Sequence, residues 1–352
     1  MRKTSVIVPA YSFTLIKIDF LKQLIMDEIT LIKLKEIKHI QEFVEYIGFY
    51  YPEMSIRAYT IEEIERALFH TYIKIIGRII SYSPLSMRTF LKNFLLKYEI
   101  MNVKRIILGT ILGMSTSDKS SLVNKLVETY LENTGFINDL LEISSLDEIQ
   151  LFMRNSKYYE SIREGILYFK RTNETFVLEA FLDRLYYENL HDELKSLRPK
   201  EKDMISLYVK CITEIYNLNM LYRGIKNNID RNLLSQFLVT NYLFLDEKIM
   251  NELLHLKNVD NFVIRLTQHL SSTKEMKFPL LRSPIKQKHL IWEIEKLYLD
   301  YFFKSFEIKV DDIEYKTVFR IIEVLIKKDK EIRLNILPRV VKILHDKYKV
   351  LK

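Results

Sequence analysis

The sequence predicts an all-α protein built from three similar helical domains in tandem. Three observations predict it: a scarcity of glycine and proline, apolar spacing of helical period almost throughout, and three short patterns that each recur three times at one interval.

Glycine and proline number seven each in 352 residues, about 2% against averages of roughly 7% and 5%. Both residues punctuate hairpins, tight βα turns and phosphate-binding loops. Their scarcity argues against a β-sandwich or a dinucleotide-binding sheet and leaves long helices joined by polar loops. Tyrosine (22) and phenylalanine (20) are plentiful, so the chain can bury a sizeable core and is not disordered.

The helical period is plain at residues 61–68, where Ile61, Ile64 and Leu68 are apolar and charges lie between. Residues 174–195 and 285–306 read the same way. Only residues 5–9 read as extended. The seven residues 115–121 and the stretch 226–232 read as polar loops between domains. Trp292, with Tyr298, Tyr301, Phe302 and Phe303 nearby, reads as core.

The repeats decide the organisation. The first pattern is Glu99-Ile100-Met101-Asn102-Val103, then Glu214-Ile215-Tyr216-Asn217-Leu218, then Glu331-Ile332-Arg333-Leu334-Asn335, with glutamates 115 and 117 residues apart. Gly109 and Gly224 each follow ten residues after the glutamate. In the third copy asparagine arrives one place late, at Asn335, and Pro338 interrupts. A second pattern joins Ile64, Leu68 and Tyr72 to Leu178, Leu182 and Tyr186, and to Ile294, Tyr298 and Phe302. A third joins Ile40 and Phe43 to Ile149 and Phe152, and to Val259 and Phe262. The reading is three homologous units at residues 1–117, 118–229 and 230–352, each of ordinary domain size and too long for a TPR or HEAT repeat.

Glu and Asn three apart share one face of a helix, and apolar neighbours surround them. Glu99, Asn102, Glu214, Asn217 and Glu331 are therefore read as repeated structural helix contacts. A buried glutamate must be paired or protonated, and Arg66, Arg184 and Lys296 are the expected partners. Lys104, Arg105, Arg223 and Arg339 are candidate partner-contact residues.

Net charge is +8, and residues 325–352 hold nine Lys or Arg against three acids. This reads as a solvated helix face, or as contact with an acidic protein surface or anionic headgroups. The basic residues do not alternate with aromatics as a nucleic-acid groove requires, so no nucleic-acid partner is expected. With one cysteine, Cys211, no intramolecular disulfide forms. The longest uncharged stretch, residues 232–245, is 14 residues long, short of the roughly 20 needed to span a membrane. Pro9 and Ser12 interrupt the apolar run at the start, and a signal peptide is not expected.

Catalytic and ligand signals are missing. There is no GxxxxGK[ST], GxGxxG or HExxH, and the seven histidines never pair at i, i+4. Gly109 and Gly113 have a small-xxx-small spacing that reads as a close helix contact, and His70 reads as structural. The expectation is no catalytic, cofactor or metal site.

At Tyr98–Lys104, at Glu214–Leu218 with Arg223, and at Lys330–Arg333 the chain resembles the C subunits of archaeal A-type ATP synthases, counterparts of the d subunit of eukaryotic V-ATPases. Tyr11-Ser12-Phe13 before a Lys-rich helix fits the same family, and the likeness runs nearly full length. The resemblance implies a non-catalytic central-stalk subunit, one copy per complex, shaped as a funnel with pseudo-threefold arrangement. It implies that the rotor shaft subunits D and F plug into the funnel and that the opposite face sits on the membrane proteolipid ring. It further implies a peripheral place at the cytoplasmic face of the cell membrane, in ATP-driven or ATP-making transport of protons or sodium ions. The alternative is a generic helical scaffold that binds an acidic partner.

Overall fold

A computed structural model describes residues 11–273, 289–306 and 312–350. Residues 1–10, which hold the stretch read as extended, and residues 285–288 lie outside it. Every regular element among the described residues is helical. By contacts the chain forms two compact units: Met1–Ile149 with Asp311–Lys352, and Gln150–Val310.

The first unit begins with α1 (Ser12–Lys22), α2 (Glu28–Glu36) and α3 (Ile40–Gly48). Two long helices follow, α4 (Ile61–Tyr82) and α5 (Leu85–Ile111). Thr60 starts α4 by accepting from the Glu63 N–H at 3.2 Å. Ser83 and Pro84, both extended, end α4 and open α5. Three short helices come next: α6 (Thr116–Leu122), α7 (Leu126–Leu131) and α8 (Phe136–Leu141). Most of the stretch read as a loop at 115–121 is thus helix, because Ser115 caps it by accepting from the Asp118 N–H at 3.2 Å. From this unit α9 (Leu146–Phe152) carries the chain into the second.

The second unit holds α10 (Tyr159–Thr172), α11 (Thr175–Glu193), α12 (Pro199–Lys226), α13 (Arg231–Ser235), α14 (Glu247–Leu254), α15 (Val259–Ser272) and α16 (Leu290–Phe306). Its longest helix, α12, starts with proline at the first position, and Glu201 accepts from the Arg198 N–H at 3.0 Å. Around α12 pack α11, α13, α14, α15 and α16. On α16 the buried stripe is Leu290, Ile294, Leu297 and Tyr298. Trp292 falls off that stripe and is 49% exposed, with Lys296 over its ring. It is not the core residue the aromatic cluster suggests.

The chain then returns to the first unit as α17 (Ile313–Lys330) and α18 (Leu337–Val350). There α17 packs on α1 and α4, and α18 on α3 and α4. Tyr72 of α4 donates to the Leu325 carbonyl of α17 at 2.8 Å. Between α17 and α18, Glu331–Ile336 is π-helix. A π turn takes one residue more than an α turn, and here it absorbs the extra place that delays Asn335. Pro338, which has no N–H to donate, lies just beyond it.

The helices α5 and α12 end alike. The Met114 N–H bonds the Gly109 carbonyl at 2.8 Å and Gly113 N–H the Thr110 carbonyl at 3.1 Å; the Ile229 N–H bonds the Gly224 carbonyl at 2.9 Å and Asn228 N–H the Ile225 carbonyl at 3.3 Å. These are Schellman closures, with the left-handed residue Gly113 (φ 67°) in one and Asn228 (φ 53°) in the other. Gly113 is therefore a helix stop and not a helix–helix contact. Gly109 lets Lys119 of α6 approach, and Gly224 does the same for Leu234 of α13, so the glycine shared by the two copies is a seat for the following short helix.

One carboxylate anchors α17. Glu323 receives Lys327 and Arg320 at 2.7 Å each and lies 3.2 Å from Lys22 of α1. Burial pushes its pKa up, but the two hydrogen bonds and the cationic charges outweigh this and hold it at about 2. A carboxyl whose folded value lies below its unfolded value stabilises the fold above the unfolded value and loses that contribution as pH falls through the folded one. The first unit is expected to lose up to about 3 kcal/mol between pH 4.5 and 2 from this group. Acid titration of urea unfolding would measure it, and Glu323→Gln is expected to flatten the slope in that window.

Candidate functional site

The residues singled out by the repeats form three buried nodes. On α5, Asn102 donates through Nδ2 to the Asn124 carbonyl at 2.9 Å and accepts from the Asn124 N–H at 2.9 Å. On α12, Asn217 donates to the Val239 carbonyl at 2.8 Å and accepts from the Val239 N–H at 2.9 Å. The partner lies 22 residues on in both copies. A side-chain amide that both donates to and accepts from one peptide unit imitates a strand pairing and pins an irregular segment to a helix. Asn335, in the π turn, is half-buried and makes no such pair among the described residues.

The glutamates serve the same segments. Glu99 accepts from Asn133 Nδ2. Glu214 accepts from the Leu243 N–H at 2.5 Å, the Phe244 N–H at 3.1 Å and the Tyr298 hydroxyl at 2.5 Å. Glu331 accepts from the Met26 N–H at 2.6 Å, Lys328 Nζ at 2.9 Å and the Tyr51 hydroxyl at 3.3 Å. Burial pushes the Glu214 and Glu331 carboxyls up, against the hydrogen bonds that favour ionisation. Each glutamate thus holds a segment outside its own helix: Glu99 through Asn133, Glu214 at residues 243–244, and Glu331 at Met26.

The expected partners of these carboxylates are elsewhere. Arg66 pairs with Glu63 and donates to the Ser121 carbonyl. Arg184 pairs with Glu188 and donates to the Gln236 carbonyl. Two buried charges carry no sequence signal as such. Lys328 lies within the basic run yet is 0% exposed; it donates to the Leu24 carbonyl at 2.6 Å and the Tyr50 carbonyl at 3.0 Å as well as to Glu331. Its ammonium also sits 3.7 Å from the centre of the Tyr51 ring. Burial pulls the Lys328 pKa down, against the charge of Glu331. Glu128 of α7 is the second: it is buried, accepts from the Ile137 N–H at 2.6 Å, and has its pKa raised by burial.

Three of the four candidate partner-contact residues are engaged within the chain. Arg105 spans Glu65 at 3.0 Å and the Leu122 carbonyl at 2.8 Å. Arg223 lies 4.7 Å from the Phe176 ring. Arg339 donates to the Ile37 carbonyl, and Lys104 is half-buried on α5. Much of the C-terminal basic run is likewise engaged within the chain, Lys327 with Glu323 and Arg333 with Asp329.

Nodes of this kind position chain segments; none places a nucleophile beside a base. Among the described residues no group of His, Cys, Asp or Glu is arranged to hold a metal ion, and no helix is long and apolar enough to cross a membrane. A sequence model of the ATP synthase (C/AC39) subunit family matches residues 17–334, a span that takes in all three nodes. The chain belongs to this family. Among its relatives, the A-type ATP synthase C subunit of Methanocaldococcus jannaschii is 25% identical over 217 residues, 61% of this chain and 53% of that protein. The C subunit of the Pyrococcus furiosus enzyme is 23% identical over 232 residues, 65% of this chain and 60% of that protein. That of Methanosarcina acetivorans is 27% identical over 139 residues, 39% and 36% of the two chains. The chain spans little more than half the length of the first of these relatives. By its description the family consists of subunits of ATP synthases.

Proposed function

We propose that this chain is the central-stalk subunit of a rotary A/V-type ATPase. It couples the shaft subunits D and F to the membrane proteolipid ring and passes torque between them during ATP-driven or ATP-making ion transport. It sits at the cytoplasmic face of the membrane, one copy per complex. Three repeats, residues 1–117, 118–229 and 230–352, build the body, which the matching Asn nodes and Schellman closures of α5 and α12 support.

The observation that carries the reading is an apolar face left largely exposed among the described residues. Phe13, Ile16 and Phe20 follow one another at i, i+3 and i+7 along α1, and Ile29 and Ile32 lie on α2; all are 52–65% exposed. Runs of exposed large apolar side chains mark protein contacts, and a rotor subunit has partners to cover them.

Purification of the tagged chain from native membranes in mild detergent, followed by mass spectrometry, tests the proposal. Shaft and ring subunits are expected in the eluate and are expected to be lost with Phe13→Glu/Phe20→Glu, whose far-ultraviolet dichroism should match the parent. Recovery of the parent chain without them, while intact ATPase remains in the extract, would overturn it.

A further inference from the structure

A cleft of about 560 Å³ opens on the first unit between α4, the segment 53–57 ahead of it, and the segment 123–126 that joins α6 to α7. Small-molecule sites have volumes of about 300–1,000 Å³. Its lining is unevenly charged. Arg57, Arg66, Lys74 and Lys125 face it, against Glu53 and Glu63, an excess of two positive charges. His70 also lines it, and burial lowers its pKa, so it adds no charge at neutral pH. Glu53 is already taken by Lys74 at 2.8 Å and Arg78 at 2.7 Å, and Glu63 by Arg66. Arg57 and Lys125, both exposed at the mouth, make no ion pair among the described residues.

Asn124 supplies an independent sign of a ligand. It lines the same cleft and is only 7% exposed. Its backbone is used by Asn102, and its Oδ1 accepts from the Leu126 N–H at 3.2 Å; its side chain lies within reach of the His70 ring, but its Nδ2 makes no hydrogen bond of ordinary geometry. Buried donors are nearly always satisfied. An acceptor arriving in the cleft would satisfy this one. The same group would need two negative charges to balance the lining, which a carboxylate monoanion lacks and a phosphate dianion has.

We propose that this cleft binds a phosphate dianion, either inorganic phosphate or the phosphoryl group of a phosphomonoester. The Arg57 fork and the Lys125 ammonium hold its oxygens, and Asn124 Nδ2 donates to it from the cleft wall. Ala67, Val123 and Leu126 line the rest of the space and leave room for an organic remainder. The proposal does not depend on the rotor reading.

The test is a titration of the full chain, labelled with nitrogen-15, by inorganic phosphate, adenosine monophosphate and phosphatidylcholine vesicles with or without phosphatidate. The expected result is a saturable shift of the Asn124 side-chain amide. Arg57→Ala/Lys125→Ala is expected to weaken binding by about tenfold or more with an unchanged unfolding midpoint. A response to the free compounds identifies a soluble ligand; a response confined to phosphatidate vesicles identifies a lipid headgroup, and both sustain the chemistry. No saturable shift from any probe, equal competition by acetate, or undiminished affinity in the double variant would each overturn it.

Discussion

Replacing Lys328 by methionine is expected to destabilise the first unit by about 3–5 kcal/mol, the usual consequence of removing one half of a buried ion pair. The ammonium is completely buried and binds three oxygens, the Leu24 and Tyr50 carbonyls and Glu331 Oε2. Methionine fits the volume but leaves two carbonyls without that donor and a carboxylate without its counter-charge. Glu331 would then take up a proton, since burial already pushes its pKa upward. Denaturant unfolding measures the loss, and hydrogen exchange at Met26 locates it, because that amide donates to Glu331. The double variant Lys328→Met/Glu331→Gln is expected to recover part of the stability, as neutral glutamine keeps an acceptor for Met26. A loss below about 1 kcal/mol, the range of a surface pair, would show that the cluster is not desolvated as described.

Glu214→Ala is expected to cost a similar amount in the second unit, about 3–5 kcal/mol, since each buried donor left unsatisfied costs about 1–3 kcal/mol. Here three donors lose their acceptor: the Leu243 and Phe244 amides and the Tyr298 hydroxyl. Tyr298 is fully buried, so water cannot replace the carboxylate without opening the packing of α12 on α16. Tyr298→Phe removes one of the three donors together with its need and is expected to cost less, about 1 kcal/mol. Parallel urea titrations separate the two, and equal losses would mean that the carboxylate matters to Tyr298 alone.

Much of the fold is legible in the residues. Scarce glycine and proline, and apolar spacing such as Ile61, Ile64 and Leu68, point to helices, and α4 runs from Ile61. Glu99, Asn102, Glu214 and Asn217 stand out by spacing and are all fully buried. Their partners are hidden for a physical reason. Most are backbone amides and carbonyls, which every residue carries, so no residue type marks them. Arg66 and Arg184 look suitable only because charge is visible in a sequence and a carbonyl is not. Lys328 reads as part of a solvated run; its burial depends on two carbonyls some 280–300 residues away. Trp292 reads as core on composition, although the stripe of Leu290, Ile294 and Leu297 already leaves position 292 on another face. Ser115 with Asp118 carries the helix-start signal inside a segment that reads as loop.

The bond from Met26 to Glu331 joins residues 305 positions apart, and this sets the order in which a nascent chain can mature. At roughly 5–20 residues per second on the ribosome, the Met26 amide waits some 15–60 s for its acceptor to be made. Through that interval α1, α2 and α3 lack α17 and α18, which are synthesised after the second unit. The second unit, by contrast, is contiguous in sequence and is free to fold earlier. Termination between Asp311 and Lys328 would therefore leave a complete second unit and an N-terminal segment with exposed apolar surface, a substrate for chaperones and proteases. Fitness effects of late nonsense codons should accordingly be as severe as those of early ones.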